Sequence, residues 1–94
     1  TESGQKASGL TLARVRVLAT DFKAVWLKQN PDEAELMGPS TVLEAKPTGT
    51  GWHVIFERIT MPGQPEGESH HFLHVYVDAE GKLEKIVRGP DEIT

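Results

Sequence analysis

The sequence predicts an α+β domain, a long N-terminal helix packed on a four-stranded antiparallel meander sheet in the cystatin-like layout, with a short second helix after the first. Three observations carry this. Apolar residues recur at three- and four-residue steps from Leu10 to Gln29, the period of one helix face. Beyond Ser40 the apolar period drops to two, as in half-buried strands. The segments with that period are joined by breaker-rich connections that suit antiparallel neighbours in sequential order. A chain of 94 residues has room for one core, so residues 10–94 are read as one domain behind a flexible tail over residues 1–9.

In the first helix Leu12, Val15, Ala19, Phe22 and Trp26 form the apolar stripe, widened by Leu18 and Val25. Arg14, Arg16, Asp21, Lys23 and Lys28 are expected on the other side. Thr11 suits the N-cap, and Lys28 places a cation at the negative end of the helix dipole. Asn30-Pro31-Asp32-Glu33 restarts the chain with a capping residue, a proline at the first helical position and two acids in the first turn. Gly38-Pro39 stops it, so Pro31 to Met37 reads as a second helix of two turns.

The strands are expected at Thr41 to Lys46, Trp52 to Thr60, His70 to Asp78 and Lys82 to Arg88. Pro47 to Gly51 is a turn, and Met61 to Ser69 a mobile hairpin loop. Gly89-Pro90 ends the fourth strand and leaves a short acidic tail. Asp78 to Lys82 fits a three-residue hairpin with Gly81 in the left-handed position. That hairpin sets Val77 opposite Leu83, Tyr76 opposite Glu84, His74 opposite Ile86, Leu73 opposite Val87 and Phe72 opposite Arg88. Between the second and third strands, the register that best separates the faces sets Val54 against Val77, Phe56 against Val75 and Arg58 against Leu73. Trp52, Val54, Phe56, Leu73, Val75 and Val77 then lie beneath the helix. On the outer face His53 meets Asp78, Ile55 meets Tyr76, Glu57 meets His74 and Ile59 meets Phe72.

One helix covers one face of a sheet. The outer face keeps Ile55, Ile59, Phe72, Tyr76 and Ile86 among His53, Glu57, His74 and Glu84, more apolar than a solvated face needs to be. Ile55, Glu57, Ile59, Phe72, His74 and Tyr76 are therefore the candidate partner-binding residues, for a protein partner or a second copy of the chain. The bland alternative is β-propensity with partial cover from the short helix or a tail.

Composition narrows the classes. Acidic residues outnumber basic ones by 14 to 10, for a net charge of -4, which argues against a nucleic-acid partner. There is no cysteine, so no disulfide or thiolate metal site. No apolar run reaches the ~20 residues of a membrane span, and no membrane insertion is expected. The opening at Thr1 is expected to be a processed start or an artificial boundary. Four histidines raise a metal reading. However, His70 and His74 stand roughly 13 Å apart along a strand at ~3.3 Å per residue, and His71 faces away from both. Glu57 opposite His74, near Tyr76, could be a fragment of an acid–base site, but it matches ordinary surface pairing better. Glycine-framed serine elbows, phosphate loops, paired zinc-protease histidines and dinucleotide fingerprints are absent from the sequence. The expectation is a protein that is not an enzyme and takes no cofactor.

Trp52-His53-Val54-Ile55-Phe56-Glu57, with Val75-Tyr76-Val77-Asp78-Ala79-Glu80-Gly81-Lys82-Leu83, resembles the strand and closing hairpin of PepSY-like domains. The cystatin-like and NTF2-like immunity-protein groups share the same helix-then-sheet order. The helix here is longer than in PepSY domains, and the Met61 to Ser69 loop is an insertion by that standard. A cystatin inhibitor's Gln-x-Val-x-Gly hairpin is replaced by Lys46-Pro47-Thr48-Gly49-Thr50-Gly51. The resemblance implies a bacterial, periplasmic or secreted, non-enzymatic domain that binds or restrains a partner. The alternative is an NTF2-like small-ligand or catalytic pocket between helix and sheet, near Trp26, Trp52 and the Met61 to Ser69 loop.

Overall fold

Thr11 starts the first helix, α1 (Leu12–Gln29), by accepting the Arg14 N–H on its side-chain oxygen at 3.2 Å. The computed structural model describes residues 10–61 and 67–93; the expected tail over 1–9 and the centre of the Met61 to Ser69 loop lie outside the described residues. Helix α2 (Pro31–Met37) follows at once. Asn30 closes α1 with its side chain rather than capping α2: Nδ2 donates to the Trp26 carbonyl at 2.9 Å. Strands β1 (Thr41–Pro47), β2 (Gly51–Thr60), β3 (Ser69–Asp78) and β4 (Leu83–Arg88) form an antiparallel meander in that spatial order. The acidic tail adds a short strand, β5 (Glu92–Ile93), which pairs with the start of β3 beyond the end of β4.

The core is the α1–sheet layer. Val15 and Ala19 of α1 and Met37 of α2 pack on Val54, Phe56, Leu73, Val75 and Val77. Phe22, Trp26, Trp52 and Ile86 close its margins. Three members of the expected stripe stand outside it, Leu12, Leu18 and Val25, the last 53% exposed.

Lys23, expected on the solvent side, is instead 7% exposed. It follows Val15 and Ala19 at the helical repeat and so sits within the buried stripe. Its ammonium donates to the Gly38 carbonyl at 3.2 Å, the Ser40 carbonyl at 3.0 Å and Ser40 Oγ at 3.3 Å. It also lies 4.6 Å from the centre of the Phe56 ring, within cation–π range. Burial pulls its pKa below the ordinary lysine value. Arg58 treats α2 similarly, donating to the Glu35 and Leu36 carbonyls at 2.7 and 2.9 Å. Two cations thus hold the last carbonyls of α2 and its exit, where the helix dipole is negative and carbonyls lack helical partners.

Two registers differ from the sequence reading. Between β2 and β3 the pairing slides by two residues: Val54 opposes Val75, Phe56 opposes Leu73 and His53 opposes Tyr76. A two-residue slide keeps every side chain on its face, so the inner set beneath the helix stands. Gly51 accounts for the choice. It faces Asp78, and a Cβ there would come within 2.0 Å of the Val77 carbonyl oxygen, an approach only glycine permits.

The β3–β4 hairpin starts as expected. Asp78 N–H donates to the Lys82 carbonyl at 2.8 Å, Gly81 has φ +90, and Val77 opposes Leu83. A bulge then admits Glu84 as an extra residue, so Lys85 opposes Tyr76, Ile86 opposes Val75, Val87 opposes His74 and Arg88 opposes Leu73. A one-residue shift exchanges faces. Ile86 and Arg88 therefore belong to the inner face, and Lys85 and Val87 to the outer one, correcting the placement of Ile86 and Glu84.

Candidate binding face

The six candidate residues, Ile55, Glu57 and Ile59 on β2 and Phe72, His74 and Tyr76 on β3, share the sheet face that α1 leaves uncovered. α2 does not cover them either, because Met37 and the Arg58 contacts hold it against the inner side. Among the described residues, the C-terminal segment approaches them. Pro90 and Glu92 join Leu43, Ile55, Phe72 and His74 around a shallow depression of about 220 Å³. Ile59 is 46% exposed; the other five are half-buried by their neighbours on the face.

The observed register gives these residues partners other than those expected. His53, not Glu57, meets His74: Nε2 of one ring lies 2.8 Å from Nδ1 of the other. His53 also stacks on Tyr76 at 4.4 Å between ring centres and 6° between planes. Lys85 lies 4.8 Å over the opposite end of this row, against Tyr76. Glu57 pairs instead with His70, whose Nδ1 lies 2.8 Å from its Oε2, while His70 Nε2 lies 3.2 Å from Glu68. The face thus divides into an aromatic row (Lys85, Tyr76, His53, His74) and an ionic corner (Glu57, His70, Glu68), with Ile55 and Phe72 at the depression between them.

Electrostatics separate two of these histidines. Burial, then the neighbouring His74 and Lys46, push His53 below its ordinary 6.5. The Glu57 hydrogen bond, with help from Glu68, lifts His70 above 6.5. The consequences for stability have opposite signs. A raised pKa gives His70 a contribution fully present below 6.5 and lost as pH climbs through its folded value. A lowered pKa means that unfolded His53 holds more protons between its folded value and 6.5, so its contribution rises with pH across that window. In an NMR titration of the imidazoles, His70 should titrate above 6.5 and His53 below it; the reverse order would contradict this geometry.

The inner face has its own polar network beyond α2. Thr60 Oγ1 lies 2.9 Å from His71 Nε2, and His71 Nδ1 lies 2.8 Å from Asp91 Oδ2. Arg88 pairs with Asp91 and with Glu33 of α2, the latter at 3.1 Å. A hydroxyl–imidazole–carboxylate line is the order of a nucleophilic site. Here it joins β2, β3 and the C-terminal segment, and Arg88 engages its carboxylate, so the network ties Asp91 to the sheet. The Arg88 and His71 contacts hold Asp91 below the usual carboxylate range. No three His, Asp or Glu side chains converge as a metal site among the described residues.

A third feature lies between helix and sheet, where the alternative reading placed a pocket. Phe22, Val25, Trp26 and Gln29 of α1 face Leu83 and Ile86 of β4 across a half-open gap of about 390 Å³. Among the described residues Trp52 is not part of its lining, whose polar groups are the Gln29 amide and the Trp26 indole N–H.

Comparison with protein-family models, curated proteins and solved structures gives no match for this chain. Among the described residues, no helix is long and apolar enough to cross a membrane.

Proposed function

We propose that this domain is a non-enzymatic binding module that engages a protein partner through the uncovered face of its sheet. One observation supports it above the rest: neither helix covers the face that carries Ile55, Ile59, Phe72 and Tyr76. The face combines aromatic rings, aliphatic side chains and charges, a mixture suited to protein contacts. The PepSY-like resemblance of the Trp52–Glu57 strand and the Val75–Leu83 hairpin agrees with a role in holding a partner. An extracytoplasmic setting follows from that resemblance alone.

The test compares variants of the immobilised domain for retention of a partner from extracts of the source organism. Ile59→Glu and Tyr76→Glu should each weaken retention at least ten-fold. Val17→Glu, on the 51% exposed back of α1, should leave it unchanged. Equal losses in all three would defeat the assignment.

A second reading, an apolar small molecule held between helix and sheet, is favoured by the Phe22–Ile86 gap. Among the described residues its lining supplies the Gln29 amide and the Trp26 indole N–H for orientation and no acid or base, which suits retention rather than catalysis.

A further inference from the structure

His53 and His74 touch through their ring nitrogens. His53 Nε2 lies 2.8 Å from His74 Nδ1, and the ring centres are 5.1 Å apart, so the contact runs end to end rather than face to face. Such a bond needs one facing nitrogen that carries a hydrogen and one that is bare. Two neutral rings meet that condition. One added proton keeps it met and makes the bond charge-assisted. Two added protons put a hydrogen on every ring nitrogen, which leaves no acceptor and sets two cations side by side.

The two rings differ in what else holds them. His53 lies flat on Tyr76, 4.4 Å between centres and 6° between planes, an arrangement that also suits a cation. His74 has no second hydrogen bond among the described residues. It lines the outer-face depression with Leu43, Ile55, Phe72, Pro90 and Glu92. The charged groups around the pair come from every neighbouring element. From β1, Lys46 opposes His53 and pairs with Glu44 at 3.8 Å. From β4, Lys85 reaches over Tyr76. On β3 the Asp78 carboxylate is engaged by the Glu80 and Lys82 N–H groups, and on β2 Glu57 is engaged by His70. Glu92, from the C-terminal segment, shares the rim of the depression with His74.

We propose that the His53–His74 pair is a proton-operated latch on the outer face: when both rings are protonated their bond parts, and the His74 ring turns into the depression towards Glu92. His53 keeps its place on Tyr76, so His74 is the ring that moves. The proton favours the parted state because only there do the two cations separate and one of them gain a carboxylate. The use of the latch rests on the outer-face reading, since the depression lies among Ile55, Phe72 and His74. A partner side chain seated there is displaced by acid. Burial, then His74 and Lys46, hold His53 below its ordinary 6.5, which puts the parting on the acid side of that value. His70 titrates on the other side, so the two events separate along the pH axis.

The methyl signals of Leu43 and Ile55, which line the depression, read the latch without a partner. Followed by NMR from about pH 8 to about pH 5, the range in which imidazoles change charge, they should show a step below 6.5 in the wild-type chain. Glutamine offers both a donor and an acceptor, so it holds a neighbouring imidazole in either charge state. In His53→Gln and in His74→Gln the step should therefore be at least three-fold smaller. A wild-type chain with no step below 6.5 would overturn the proposal, as would a step of undiminished size in either variant. Retention of a partner by the immobilised domain should fall about ten-fold between the same two pH values for wild type and less than two-fold for His53→Gln, each ratio taken within one protein. Equal falls in the two proteins would overturn the regulatory role. A domain that retains no partner at either pH defeats the outer-face reading instead, and the methyl step still decides the latch.

Discussion

Phe56→Ala should unfold the domain or bring it to the edge of unfolding. Phe56 is 1% exposed at the centre of the sheet's inner face, against Val54, Leu73 and the buried residues of α1. Removing a buried phenylalanine typically costs about 3–5 kcal/mol through lost burial and the cavity left behind. At roughly 0.05–0.15 kcal/mol per residue, the whole chain has only about 5–14 kcal/mol to lose. The loss here falls towards the upper end, because the Lys23 ammonium rests on the ring and loses that contact with it. Urea unfolding followed by tryptophan fluorescence measures the effect. A loss under about 1 kcal/mol would show that Phe56 is not the centre of the core.

The second large effect is expected from Lys23→Met. Methionine preserves most of the side chain's apolar length, so the change isolates the ammonium. Without it, the Gly38 and Ser40 carbonyls and Ser40 Oγ lose a shared donor near the end of α2. Leaving buried acceptors unsatisfied costs about 1–3 kcal/mol. α2 should loosen first, visible as faster amide exchange over Pro31–Met37 than over β2 and β3. A stabilised protein would instead mean that burying the cation costs more than its hydrogen bonds return.

Lys23 also shows where the sequence was legible and where it was not. Its spacing from Val15 and Ala19 marks a core position, but its charge suggests solvent; the two signals conflict, and only tertiary packing resolves them. The helix order, the second helix and the meander were readable because the Thr11 cap, Pro31, the Gly38-Pro39 stop and the change of hydrophobic period mark the element boundaries. The inner and outer sets on β2 and β3 were readable as well, since a two-residue register error leaves faces intact. The individual pairings were not. The sole signal was Gly51, a residue without a side chain at the point where β3's backbone approaches. In β4 the run Glu84-Lys85-Ile86-Val87 breaks strict alternation, and that break is the trace of the bulge that turned Ile86 inward. The six candidate residues were assigned from face alone, and they do share the uncovered face, whereas the His53–His74 contact depends on register and so escaped notice.

The inner face of the sheet holds the core, and the outer face is the one proposed to bind a partner. Photo-crosslinking tests that division most directly. A photoreactive side chain would replace Ile59 or His74 on the outer face, or Val17 on the exposed back of α1, one position at a time, in the cells that make the protein. The same partner adduct is expected from Ile59 and His74 and none from Val17. An adduct from Val17 with none from the sheet positions would contradict it.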